Sequence, residues 1–209
     1  MKRYKISSFS FDSRPTTLNL EIKNEWEDKI KELHSNNKEI IKQEYINEFG
    51  LKDFEQKILN IRDLGNMAAS VIAFHNKFLS QIRNSFIICS YYPSLVGASA
   101  LGERILNHLI LKLRSYFINT PKYKSIYKKK SFDNWEAAIE ILKSWNVLLS
   151  DVEIKFNKLI AIRNKAIHFT PETDSKDRSF ALEAIYLISD NIEELFAVLG
   201  KQPWFIENT

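Results

Sequence analysis

The sequence contains one cysteine, Cys89, and only 5 glycines and 5 prolines among 209 residues. A single cysteine excludes an intrachain disulfide and a thiolate metal cluster. Following the apolar 86–88 run, it reads as a small buried side chain rather than a nucleophile. So little glycine and proline leaves few places for the tight turns of an all-β fold. Long hydrophobic runs are missing too. The longest uncharged stretch, 84–102, is interrupted by Ser85, Ser90, Tyr91, Tyr92, Pro93, Ser94 and Ser99, whereas a bilayer span needs about 20 mostly apolar residues. It reads as two buried helix ends meeting at a turn around Pro93. No apolar run follows Met1-Lys2-Arg3-Tyr4-Lys5, so no secretory signal is expected. A cytoplasmic protein without a membrane partner is the expectation.

The composition is that of an ordinary globular chain, 44% apolar and 27% charged. Its length suits one good-sized core. A net charge of +4 is compatible with an RNA partner without requiring one.

The first twenty residues differ from the rest. Tyr4, Ile6, Phe9 and Phe11 among serines suggest a short strand or extended arm, ended by Arg14-Pro15. From about Leu20 the periodicity turns helical. Ile22, Trp26, Ile30 and Leu33 form one stripe. Ile41, Tyr45 and Phe49 form another beyond Ser35-Asn36-Asn37, and Phe54, Ile58 and Ile61 lie between the helix stops Gly50 and Gly65. A helix over about 94–119 carries Ala98, Leu101, Ile105, Leu109, Leu113 and Phe117. Another, over about 133–145, starts with an Asp-x-x-Glu cap. Ser150 and Glu153 form a capping box for a third, with the stripe Val152, Phe156, Leu159 and Ile167. The last starts near Ser175, packs through Ala181, Ile185, Ile188, Ile192, Leu195 and Leu199, and is closed by Gly200 and Pro203. No internal repeat or low-complexity segment is present. The expected class is all-α: a helical bundle over 66–209, with an N-terminal extension over 1–65 made of an arm and extra helices.

One hexapeptide carries chemistry: Arg163-Asn164-Lys165-Ala166-Ile167-His168. Steps of three and four from Val152 reach Arg163 where the pattern wants an apolar residue. Ile160, Asn164 and His168 form the adjacent row. His168 stands five positions after Arg163, about 140° around an ideal helix, so they converge only through long side chains or a loosening of the helix before Pro171. An imidazole can take the proton of an RNA 2′-hydroxyl near neutral pH. A guanidinium can hold the attacked phosphate, and Asn164 can orient either. No pair of carboxylates lies near a histidine at metal-ligand spacing, so no metal or other cofactor is expected. The same residues also suit a structural ion pair at Arg163 and a histidine answering the helix dipole.

Ser99, Glu103 and Asn107 form a polar ladder on the 94–119 helix, with Arg104 and His108 on the neighbouring row. Glu103 is a candidate partner for Arg163 or His168. His108 is a candidate second acid or base, or simply a surface histidine; His34 and His75 stand alone. The 119–132 loop interleaves Lys122, Lys124, Lys128, Lys129 and Lys130 with Tyr123, Tyr127 and Phe132. Lysines neutralise phosphates and tyrosines stack on unpaired bases, so the loop is a candidate surface for single-stranded RNA. A solvated basic linker would have the same composition.

The 157–168 segment, with its Arg-x4–6-His spacing and a polar residue directly after the arginine, resembles the HEPN superfamily of small helical proteins. The 97–108 segment is similar to the preceding core helix of many members. The resemblance spans about 66–200. It implies a HEPN-like bundle and a metal-independent endoribonuclease that leaves 2′,3′-cyclic phosphate ends, often a toxin or antiphage-defence effector. It further implies a homodimer with both motifs lining one cleft, in which the motif helices pack across a two-fold axis and bury their stripes. Arg163 and His168 would be catalytic and Asn164 supporting. One branch of the family has a tyrosine two residues after the histidine that its antitoxin modifies. Thr170 stands there in this chain, which puts that mode of control in doubt while leaving another antitoxin or regulatory partner open. Some members only bind or dimerise, so a non-catalytic helical module remains the alternative.

Overall fold

The computed structural model describes residues 12–148, 150–168 and 170–196, with backbone alone at 173 and 174. Among these residues every regular element is helical. They are α1 (Arg14–Asn19), α2 (Asp28–Phe49), α3 (Phe54–Leu64), α4 (Ala73–Ile87), α5 (Tyr91–Leu113) with a 3-10 turn (Arg114–Phe117), α6 (Tyr123–Ile126), α7 (Trp135–Ser144), α8 (Ser150–Ile167) and α9 (Pro171–Phe196).

Helix α5 is the hub, packed on α4, α7, α8 and α9. Its sequence explains this position. Leu95, Ala98, Leu101, Ile105, Leu106, Leu109 and Ile110 are apolar on more than one side and all are buried, as expected of a helix surrounded by others. Gly102 lets two neighbours come close, since a Cβ there would stand 2.8 Å from the Trp135 ring of α7 and 2.9 Å from Leu159 of α8. Helix α9 packs on α5, α8, α4 and α3, through Ala181, Ile185, Ile188, Ile192 and Leu195. Helices α1, α2 and α3 form a layer joined to the rest through α3, which touches both α4 and α9. Leu18, Tyr45, Ile58 and Ile61 of that layer belong to the same contiguous core as the later helices.

Several boundaries differ from the sequence reading. The arm expected at residues 4–11 lies outside the described residues, as do Leu199, Gly200 and Pro203. Arg14-Pro15 opens α1 instead of closing the arm, with proline in the first turn, where its missing N–H has no intrahelical partner to lose. Residues 20–27 are not helical, so Ile22 and Trp26 share no helix with Ile30 and Leu33. Those two are 41% and 57% exposed. The polar Ser35-Asn36-Asn37 run does not interrupt α2, because it sits on a helix whose outer face is already solvated. The 84–102 turn falls at Ile88-Cys89-Ser90, where Cys89 takes a left-handed φ of 64° and is only half-buried. Pro93 lies inside the first turn of α5. The cap of α7 is Asn134, one residue after Asp133, and its side chain accepts from the Ala137 N–H at 2.8 Å. Ser150 is already inside α8, and the Glu153 carboxylate pairs with Lys143 at 2.9 Å. The last helix starts at Pro171, with a non-helical Lys176 marking the bend near the expected start.

Candidate active site

Helix α8 seats its first three turns through Val152, Phe156 and Leu159, all fully buried. At 3.6 residues per turn that row then falls between positions 162 and 163. The structure buries Ile162 and Ala166, leaving Arg163 and Ile167 at the rim. Ile167, expected in the buried stripe, is 51% exposed. Because Val152, Phe156 and Leu159 are buried inside the chain, they are not what a two-fold contact would cover.

Arg163 is held from two sides. Its Nη2 lies 3.8 Å from Glu103 Oε2 of α5, and its guanidinium carbon sits 5.6 Å from the centre of the Trp135 ring. Trp135 Nε1 donates to the same Glu103 oxygen at 3.1 Å, which fixes the carboxylate that faces the arginine. Nη1 of Arg163 makes a long contact of 3.4 Å to Asn164 Oδ1. The two charged side chains keep 29% and 39% of their surface in solvent, so this is a positioned rim pair and not a buried one. A small cavity of about 120 Å³ opens beside it, lined by Val96, Ser99, Ala100 and Glu103 of α5 and by Arg163, Ala166 and Ile167 of α8.

Glu103 and Arg163 thus meet as the sequence suggested, and the other ladder positions have different duties. Ser99 donates to the Leu95 carbonyl within its own helix at 3.0 Å. Asn107 clamps the backbone of Phe132, accepting from its N–H at 2.7 Å and donating to its carbonyl at 3.0 Å. His168 does not line the Arg163 cavity. Its N–H still donates to the Asn164 carbonyl at 3.0 Å, so of the two ways to bring it towards Arg163, a loosening of the helix does not occur up to that residue. His168 is exposed. His108 is also exposed, edge-on to Phe74 at 4.7 Å; partial burial and the nearby charges of Arg104 and Lys112 lower its pKa.

The basic loop is built, not loose. Ile126 and Phe132 are buried, and Arg114 donates to the carbonyls of Ile126 and Lys129 at 3.2 and 2.7 Å. Lys122 pairs with Glu140 at 2.6 Å. The rings of Tyr123 and Tyr127 stack on each other at 5.9 Å, with Lys128 over Tyr127. Lys124, Lys128, Lys129 and Lys130 are exposed and form no ion pair among the described residues. The loop reaches the site through its end: Asn107 holds Phe132 one turn along α5 from Glu103, which Trp135 holds.

Sequence reasoning missed Trp135, whose indole N–H orients the carboxylate opposite Arg163. It also left His75 without surroundings. That ring is buried, with Nδ1 2.9 Å from Ser70 Oγ, between Phe74 and Phe196. Burial pushes its pKa down to about 3.

No group of three or more His, Cys, Asp or Glu side chains is arranged to hold a metal ion among the described residues. None of the described helices is long and apolar enough to cross a membrane. Comparison of the chain with protein-family models, curated proteins and solved structures gives no match.

Proposed function

We propose that this chain is a HEPN-type, metal-independent endoribonuclease that acts as a homodimer with a composite active site. The observation that carries the reading is a half-exposed arginine held at the mouth of a cavity by a carboxylate and an indole, five residues before an exposed histidine. Arg163 would steady the phosphorane oxygens. His168 would take the proton of the attacking 2′-hydroxyl, the 2′-oxygen would bond to phosphorus as the bond to the 5′-oxygen breaks, and a second imidazole would protonate that leaving oxygen. Asn164 would orient the phosphate, and Glu103 would position Arg163. The second copy of the motif supplies the second imidazole, which suits a chain whose Arg163 and His168 diverge by about 140° around one helix. The face around the site favours such pairing. Tyr92, Val96 and Ile167 are 49%, 37% and 51% exposed on adjacent helices, an apolar patch of the kind that marks interaction surfaces. The 122–130 loop would bind the RNA strand. A toxin or antiphage-defence role in the cytoplasm, with an antitoxin or regulatory protein as partner, follows from the same resemblance.

The Glu103–Arg163 pair also favours a second reading, in which the pair is structural and the chain is a non-catalytic dimerisation or binding module. The test is incubation of the purified protein with total RNA in EDTA, beside Arg163→Ala and His168→Ala. Cleavage by the wild type alone supports the enzyme. Absence of cleavage by a well-folded dimer, with Arg163→Ala failing to fold, supports the module.

A further inference from the structure

A larger cleft lies elsewhere in the fold. About 330 Å³ of space opens between the α1–α2 layer and one face of α4, over a floor that includes Tyr45, Phe49 and Ile61. Residues 76, 77, 80, 83, 84 and 87 line it, the i, i+3, i+4 spacing of a single helix face. A face turned towards an internal layer is normally apolar. This one carries Lys77, Ser80, Arg83 and Asn84.

Arg83 is the central group. It donates from Nη1 to the Leu64 carbonyl at 3.2 Å and from Nη2 to the Gly65 carbonyl, capping the end of α3. That uses two of its five N–H donors. No carboxylate lies within 4 Å of it among the described residues. Asp12 acts on it only at longer range, and Arg14 already holds that carboxylate at 2.9 Å. Burial pushes Arg83 down to about 10, so it stays charged at neutral pH. Lys77, Ser80 and Asn84 have no side-chain hydrogen-bond or ion-pair partner among the described residues, unlike neighbouring Asn76, which is bonded to Ser70.

The charges in the cleft give the sign of its ligand. Asp12, Glu44 and Glu48 all gather on Arg14, at 2.9, 3.7 and 2.9 Å, which leaves Lys77 and Arg83 as the cleft's cations with no carboxylate within 4 Å among the described residues. Residues 1–11 contain no Asp or Glu, and they carry Lys2, Arg3 and Lys5, so that segment supplies no counter-ion. The volume is at the lower end of small-molecule sites, about 300–1,000 Å³.

We propose that this cleft binds a small oxyanion, a free or esterified phosphate or a carboxylate, held by Arg83 with Lys77, Ser80 and Asn84. Its residues lie on α1 to α4 and the segments beside them, apart from the α5 and α8 site of the nuclease reading, and the proposal does not rest on that reading. A ligand there ties the N-terminal layer to α4 and so stabilises the folded chain.

The test is thermal unfolding and calorimetric titration of the full-length protein with inorganic phosphate, adenosine monophosphate and acetate in turn, at ionic strength matched with sodium chloride. At a hundredfold excess over Kd the midpoint should rise by about 5 to 10 °C. Phosphate as effective as the nucleotide would identify a free-ion site. A nucleotide that alone binds would identify an organophosphate, and acetate binding would identify a carboxylate reader. Lys77→Gln and Ser80→Ala, at positions outside the core, should each weaken binding about tenfold without lowering the unliganded midpoint, while exposed Lys52→Gln leaves binding unchanged. No shift with any of the three probes, or binding untouched by Lys77→Gln and Ser80→Ala together, overturns the site.

Discussion

Gly102→Ala offers a direct test of how the site is supported. The new methyl group would stand 2.8 and 3.2 Å from two Trp135 ring carbons and 2.9 Å from Leu159 Cδ2. Neither neighbour can swing into solvent, since Trp135 is 3% exposed and Leu159 fully buried. Overpacking of this kind costs about 1–3 kcal/mol. Against it stands the gain of alanine over glycine inside a helix, about 1 kcal/mol. The balance is a destabilisation of about 1 kcal/mol, a fall in midpoint of about 2–4 °C for a chain of this length. The same displacement lengthens the 3.1 Å bond from Trp135 Nε1 to Glu103 and loosens the carboxylate facing Arg163. On the nuclease reading, cleavage should therefore fall by more than the loss of folded protein explains. Differential scanning calorimetry and single-turnover cleavage read the two effects. A rise in midpoint of a few degrees would refute the reasoning, because helix propensity alone gives that result and the close approach of α5, α7 and α8 would then be absent.

Arg163→Ala removes a rim ion pair worth about 1 kcal/mol or less and a cation–π contact of about 0.5–1 kcal/mol. Its midpoint should fall by only about 3–6 °C, and a loss beyond 10 °C in a melting curve would favour the structural-pair reading. The depressed pKa of buried His75 makes stability depend on acid. The unfolded chain binds the proton that the folded one refuses, so this contribution is complete above pH 6.5 and is lost as pH falls from 6.5 towards 3. By pH 5.5 about 1 kcal/mol should be gone; urea titrations at pH 7.5 and 5.5 measure it, and His75→Phe should flatten the difference. Replacing Lys124, Lys128, Lys129 and Lys130 with glutamine should weaken single-stranded RNA binding and reduce its log–log salt slope by up to about three. An unchanged slope would place RNA elsewhere.

What could be read in the sequence was whatever repeats along one helix. Val152, Phe156 and Leu159, or Ala181, Ile185, Ile188 and Ile192, announce their buried faces by spacing alone, and each of them is buried. The pattern failed where two registers fit equally well. The row from Val152 points between 162 and 163, and only packing on neighbouring helices decides that Ile162 goes inside and Arg163 to the rim. It failed again at 20–27, where Ile22 and Trp26 keep helical spacing in a segment that is not helical. Of the site, Glu103 could be chosen as a partner for Arg163 because it sits on a polar ladder. Trp135 could not, since it reaches Glu103 across 32 residues of chain and a tryptophan after a basic loop carries no local mark of that bond. The Asn107 clamp on Phe132 and the polar face that α4 turns to the N-terminal layer are likewise relations between elements.

The measurement that bears most directly on the central claim is cleavage of total RNA by the purified wild type in EDTA, with His168→Ala and Arg163→Ala of verified fold alongside. The account predicts cutting by the wild type only, with 2′,3′-cyclic phosphate at the new ends. Cutting that survives His168→Ala, or that stops in EDTA and returns with a divalent ion, would contradict it.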